Sequence, residues 1–274
     1  MSLYLDLVRY RDLFLNLLRR DLQVRYRGSF LGLAWTFVNP LALVGVYTLV
    51  FNTLYGKSSI PHYPLFVCTG LVIWTFFAAS LTWAASSLVG QAYLVQQVRF
   101  PRQLLTFSAT STNFVTFLAM LVVLVPINFV FVPESRTTFW AGLLMAIVLL
   151  AIVLGLSLII ASVTVRFRDV EHLLQTLLLP WFFLTPIFYT FDTLPGVQGH
   201  PTLVSALYWG NPITPAIQAI RDPLFYGAAA ARRRRVRDLR RGRLARARRA
   251  SSSGAWTTSS PRSSSRRAAP RSGV

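Results

Sequence analysis

Long uncharged apolar stretches alternate with short basic or mixed-charge breaks along most of this chain. The pattern predicts helices that cross a bilayer, because about 20 apolar residues cover ~30 Å of hydrocarbon. Five such stretches stand out, at about 32–55, 65–89, 104–131, 139–165 and 173–191. Residues 4–27 carry a different pattern. Tyr10, Leu13, Phe14, Leu17, Leu18 and Leu22 recur at helical spacing on one face, with Arg9, Asp12, Asn16, Arg19, Arg20 and Gln23 opposite. Beside a membrane span this suits a helix lying in the headgroup layer. A surface helix of a soluble domain is the alternative, but no soluble core follows. At Arg25-Tyr26-Arg27-Gly28 positive charge gives way to about 25 uncharged residues, interrupted by Asn39-Pro40.

After the fifth stretch the pattern changes again. Asp192 to Tyr226 is rich in Pro and Gly, and its apolar pieces, Leu203–Trp209 and Ile213–Ile220, are too short to cross. Pieces of that length read as re-entrant or interfacial. The fold expected is therefore an all-α polytopic membrane protein. Residues 1–30 form an amphipathic interfacial helix and residues 31–227 a transmembrane domain of about five spans plus two short re-entrant or interfacial pieces. Residues 228–274, an Arg-rich stretch with no apolar run, are expected to be disordered. With the N-terminus inside, the inner segments (1–30, 90–103, 166–172) hold ten Arg, and the outer ones hold Lys57, Arg136 and Arg221. That asymmetry places the N-terminus on the cytoplasmic side of the membrane.

Composition sharpens this picture in two ways. Hydrophobic residues make up 54% and charged ones 14% of the chain, against roughly 25% charged in globular proteins. The net charge of +19 belongs mostly to residues 228–274, which hold fifteen Arg and one Asp. No cleavable signal peptide is expected, since the first 25 residues lack a clean apolar core and a small-residue cleavage site.

Candidate chemistry is sparse. Cys68 is the single cysteine, and His62, His172 and His200 stand isolated, so no metal site is expected. Gly56-Lys57-Ser58-Ser59 imitates the end of a phosphate-binding loop, but the required upstream Gly is Phe51. The spans hold no carboxylate pair for acid–base work. An enzyme is not expected, and neither is a cofactor bound by this chain.

Two breaks carry more character than a plain loop. Gln96-Gln97-Val98-Arg99-Phe100-Pro101-Arg102-Gln103 combines charge with an aromatic anchor, and Arg166-Phe167-Arg168-Asp169-Val170 does the same. Each reads equally as a docking surface or as a basic loop that sets topology. Together with the run Arg19–Pro40, the segment Thr185-Pro186-Ile187-Phe188-Tyr189 and Asn211-Pro212-Ile213-Thr214-Pro215 through Arg221, they resemble one family. That family is the membrane-spanning permease subunits of type-2 ATP-binding-cassette exporters, in the branch that exports O-antigen, teichoic acid and capsular polysaccharide. The likeness runs over residues 5–227 in order.

The resemblance implies a six-span subunit of the bacterial cytoplasmic (inner) membrane, with a re-entrant helical pair after the fifth span, that works as a homodimer with a separate ATPase subunit holding ATP. It places ATPase coupling at Arg99, Phe100, Pro101 and Arg102, and a second contact at Arg168 and Asp169. The N-terminal helix becomes the interfacial, gate-side helix, with Arg19, Arg20 and Arg25 at the entrance. There they would attract the anionic diphosphate of a carrier lipid, or simply anchor the helix to membrane lipid. Aromatic side chains suit a sugar path, and the candidates are Trp74, Phe77, Trp83, Trp181 and Tyr189, though helical spacing does not separate channel from lipid faces. The implied cargo is a lipid-linked glycan; a small hydrophobic drug carried by the same fold, and a non-transporting scaffold, are the alternatives.

The family also has a sixth span where this chain has its Arg-rich stretch. With 27 Arg against one Lys, the gene reads as GC-rich, and an out-of-frame reading of Leu, Ala, Val and Gly codons yields mostly Arg, Ala, Ser, Gly and Pro. A nucleic-acid-binding or lipid-binding tail competes with this reading, and no nucleic acid partner is expected. Translating the coding DNA from about codon 228 in the other two frames is expected to give about 20 apolar codons in one of them; neither frame doing so refutes the frameshift.

Overall fold

A computed structural model describes residues 10–26, 34–50, 60, 62–90, 100–191 and 201–226. The described residues form helices joined by short turns. In chain order these are α1 Arg11–Tyr26, α2 Trp35–Leu49, α3 Tyr63–Gly90, α4 Gln103–Phe131, α5 Phe139–Arg166, α6 Val170–Leu184, α7 Pro201–Trp209 and α8 Ile213–Arg221. A 3₁₀ turn, Pro133–Thr137, joins α4 to α5, and a π-helical turn, Asp222–Tyr226, follows α8.

Three helices, α3, α4 and α5, are long and apolar enough to cross a membrane. At 1.5 Å per residue each exceeds about 40 Å, more than the hydrocarbon requires. The expected stretches 65–89, 104–131 and 139–165 match them within two residues at each end.

The stretch expected at 32–55 is described only as α2, of 15 residues. Asn39-Pro40 does not interrupt it: the helix passes through both, and Pro40 is buried. The stretch expected at 173–191 is shorter than its hydropathy suggested. Helix α6 ends at Leu184, and Thr185 is extended, with ψ 132°. The cause is Pro186, whose ring crowds the preceding residue out of helical geometry. The re-entrant pieces expected at 203–209 and 213–220 are α7 and α8. Most of the 91–103 break and all of residues 228–274 lie outside the described residues.

Helix α3 is the axis of the bundle. Of its most apolar window 67% is buried, against 33% for α4 and 22% for α5. Gly70, Ala78, Ala79, Ser80, Ala84, Ala85 and Ser87 supply the small side chains that let neighbouring backbones approach. In lipid this matters more than apolarity, because helix association rests on close packing and hydrogen bonds. Phe66, Phe77 and Phe117 are wholly buried in the resulting core. Rings of α3 and α4 stack directly, Phe76 on Phe117 at 5.1 Å between centroids.

Helix α8 and its π turn fill the end of the bundle where α3 begins and the 3₁₀ turn sits. Thr138 donates to the Pro223 carbonyl at 2.7 Å. Leu224 packs over Gly142 of α5, where an added Cβ would come within 2.8 Å of Leu224 Cγ. Gly142→Val is therefore expected to destabilise the protein by about 1–3 kcal/mol through overpacking, read as a lowered unfolding midpoint in detergent. Gly155→Ala, with nothing within 4 Å of the new Cβ, should leave that midpoint almost unchanged.

Candidate functional site

Helix α1 does not merely lie beside the bundle; a polar seam docks it against α4. The N-terminal half of α4 buries Thr106, Ser108, Thr110, Thr112, Asn113 and Thr116. Opposite them α1 presents Asp21 and Arg25, one helical turn apart and so on one face. Ser108 Oγ donates to Asp21 Oδ2 at 3.2 Å. Asp21 Oδ1 takes an ion pair from Arg20 at 2.9 Å. Arg25 reaches furthest along α4: Nη2 donates to Asn113 Oδ1 at 2.8 Å and Nη1 to Thr116 Oγ1 at 3.2 Å. Its guanidinium lies over the Trp83 ring of α3, 4.4 Å from the centroid.

Asn113 stands about 15 Å along α4 from Gln103, well within a membrane-length helix. A cation at that depth is costly unless it is hydrogen-bonded or faces a wet cavity. Arg25 has both. It lines a cavity of about 450 Å³ with Trp35, Thr36 and Asn39 of α2, Thr75 and Phe76 of α3, and Asn113 and Thr116 of α4. That volume is in the range of small-ligand sites. Among the described residues Arg25 is the one charged side chain on its wall. Its hydrogen-bond partners are neutral, and Asp21 is engaged by Arg20 and Ser108, so the positive charge is hydrogen-bonded but not cancelled. Such a cavity suits an anion with an apolar or sugar-like appendage.

The other site residues expected from the sequence fall in three places. Phe100 and Pro101 are half-buried and Arg102 is exposed just ahead of α4, while Arg99 lies outside the described residues. Arg168 and Asp169 are exposed in the turn between α5 and α6. Because α4 and α5 form an antiparallel hairpin, the start of one and the end of the other share one end of the bundle. The structure thus brings Phe100–Arg102 and Arg168–Asp169 to the same end.

The aromatic set divides. Trp74, Phe77 and Trp181 meet in the core, with Trp74–Phe77 centroids at 5.4 Å and Phe77–Trp181 at 5.3 Å. Trp83 sits apart beneath Arg25, and Tyr189 beyond α6 donates to the Phe183 carbonyl at 3.1 Å. Arg19 is exposed on α1. Asn113, Thr116 and Asp21 were not among the expected site residues. The available signal was polarity out of place: an Asn and a run of hydroxyls inside a membrane-length helix.

A chain whose described residues form helices and turns, three of the helices apolar and of membrane length, is an integral membrane protein, and a cavity with a cation on its wall lies against two of those helices. The sequence profile of the ABC-2 type transporter family matches residues 12–225, and the chain belongs to that family. Permeases of this family work with a separate ATPase subunit.

Similar proteins include an O-antigen export system permease protein RfbA of Myxococcus xanthus, 36% identical over 192 residues, 69% of this chain and 72% of that protein. Two Klebsiella pneumoniae proteins with the same name are each 31% identical. One aligns over 217 residues, 79% of this chain and 81% of its own length; the other over 185 residues, 67% and 71%.

Asn113→Leu should lower stability by about 1–3 kcal/mol by removing an acceptor from a half-buried cation. Adding Arg25→Met to that variant should cost less than the two changes taken separately. Denaturation of the four proteins in one detergent checks this; strict additivity would refute the coupling.

Proposed function

We propose that this chain is the permease subunit of an exporter that moves O-antigen, or a similar lipid-linked polysaccharide, across the bacterial inner membrane. The likeness to permeases named for O-antigen export, extending over as much as 79% of the chain, carries this reading. The cavity on the α1–α4 seam supports it. A phosphorylated carrier lipid with a sugar polymer needs a cation to meet its phosphate and a polar wall to meet its hydroxyls, since neither crosses hydrocarbon unaided. Arg25 supplies the first, and Thr36, Asn39, Thr75 and Thr116 the second.

In this reading the N-terminus is cytoplasmic, which puts Arg102 and Arg168 on the side where ATP is found. Two copies of the chain pair, each contributing a set of spans that includes α2 to α6. A separate ATPase subunit docks against Phe100–Arg102 and Arg168–Asp169, and its closure on ATP shifts α4 and α6. Arg25 receives the diphosphate at the entrance, while α1, held by Asp21 and Arg25, sets how open that entrance is. Trp83, under the Arg25 guanidinium, and Trp35, on the cavity wall, offer faces for the first sugar rings.

The test uses the chain assembled with its ATPase in lipid nanodiscs. ATP hydrolysis is expected to rise on adding a lipid-diphosphate-linked glycan, and to rise less for Arg25→Met at equal glycan. Arg102→Glu and Phe100→Ala in vesicles should keep insertion intact yet lower export per ATP about tenfold or more, the scale of losing one interface anchor. Stimulation by hydrophobic drugs in place of the glycan would favour a drug exporter. Normal export in both variants would place the docking surface elsewhere.

A further inference from the structure

The end of the bundle opposite Arg102 and Arg168 holds a second arginine, and it is buried more completely. Arg221, the last residue of α8, is 3% exposed. Its Nη1 donates to the Pro186 carbonyl at 2.9 Å and its Nη2 to the Ile187 carbonyl at 3.1 Å. The next carbonyl, of Phe188, accepts from Tyr63 Oη at 3.0 Å. Three consecutive carbonyls beyond the broken end of α6 thus bond to side chains of α8 and α3. Non-helical backbone at membrane depth persists only when protein satisfies it in this way. A cation is also the favoured partner at a helix C-terminus.

A second tie lies beside the first. Asn211, ahead of α8, accepts from Trp181 Nε1 at 2.9 Å and donates to Thr185 Oγ1 at 2.9 Å. The last turn of α6 and the segment just beyond it are therefore held at four points, two through Asn211, ahead of α8, to Trp181 and Thr185, and two through Arg221 to Pro186 and Ile187.

Room for Arg221 is provided by Gly70 of α3. A Cβ at that position would overlap Arg221 Nη2 and press within 3.3 Å of the Ile187 carbonyl oxygen. The guanidinium also lies 3.9 Å from the Phe66 ring centroid. Lysine could not reproduce this seat, since one ammonium cannot present the planar fork that bridges two adjacent carbonyls.

We propose that Arg221, seated in the Gly70 notch, is the positioning residue through which α6 drives α7 and α8, so that a displacement at Arg168–Asp169 is delivered to the helices at the far end. The proposal rests on the reading that α6 receives the ATPase stroke. Helix α6 is short and ends in a turn, and a turn transmits motion only if it is tied to what lies beyond. Arg221 makes that tie directional, because two carbonyls fix both the position and the plane of the guanidinium. Arg221 is thereby a transmission element rather than part of the cargo path.

The test uses the full chain assembled with its ATPase, in a Cys68→Ser background with one reporter cysteine at a time. Leu173→Cys, exposed in the first turn of α6, reads the near end; Trp209→Cys, exposed at the end of α7, reads the far end. Maleimide labelling rates are compared with and without ATP. In the parent both reporters are expected to respond. In Arg221→Lys, and separately in Gly70→Ala, which displaces the guanidinium without removing it, the Leu173→Cys response should persist. The Trp209→Cys response should fall roughly tenfold, the factor that one charge-assisted hydrogen bond represents.

A Trp209→Cys response that survives in both variants overturns the proposal while leaving the transport reading intact. Loss of both responses together, or of the assembled complex, would mean that Arg221 only holds the fold, and overturns it too. Parent complexes in which Trp209→Cys responds and Leu173→Cys does not would refute the reading of α6 itself, and the proposal with it.

Discussion

A helix that stops inside an apolar bundle leaves carbonyls with no partner, and each one left bare costs several kcal/mol. Helix α6 stops at Leu184 because Pro186 follows, and the arrangement of α3, α6 and α8 answers that fact. Arg221, Tyr63 and Asn211 bring their donors to the broken end, and Gly70 clears the space they need. Remove the proline and the helix could run on; keep it, and an arginine must be buried. Once a guanidinium is buried there, α8 has little freedom to pack anywhere else.

The two inward-facing arginines solve the same electrostatic problem with different outcomes. Arg221 meets two carbonyls and an aromatic face and is almost sealed from solvent. Its charge is absorbed by backbone dipoles. Arg25 meets an amide oxygen, a hydroxyl and an aromatic face, but borders an open cavity. Neutral partners satisfy its hydrogen-bond geometry without cancelling its field. At interior separations a few ångströms from such a charge, an anion gains several kcal/mol even at an effective dielectric constant near 20. The first arginine is committed to its carbonyls, and the second remains available.

The three long helices were legible because uninterrupted apolar runs of membrane length are bounded by Pro, Gly or charged residues. The shortness of α6 was legible too, in the Thr185-Pro186 pair, but uninterrupted hydropathy through Tyr189 hides a backbone break. Arg221 reads along the sequence as an ordinary loop charge, because nothing nearby announces that Gly70, about 150 residues earlier, leaves it a berth. The α1–α4 seam was hidden for a related reason. The amphipathic pattern assigns Arg19 and Arg20 to the polar face correctly, yet it says nothing about Arg25 turning inward to Asn113. Spacing along one helix reveals which residues share a side; what that side meets is decided by another helix.

The hydroxyl face of α4 has a consequence of its own. Thr110, Thr112 and Thr116 give their protons to carbonyls one turn back on the same helix, and Asn113 gives an N–H to Ala109. Toward Arg25, Asn113 and Thr116 therefore offer lone pairs alone. Should that side chain withdraw, neither is left with a stranded proton: the buried Asn113 Oδ1 gives up a donor, and the guanidinium can renew its own bonds with water or with a passing phosphate.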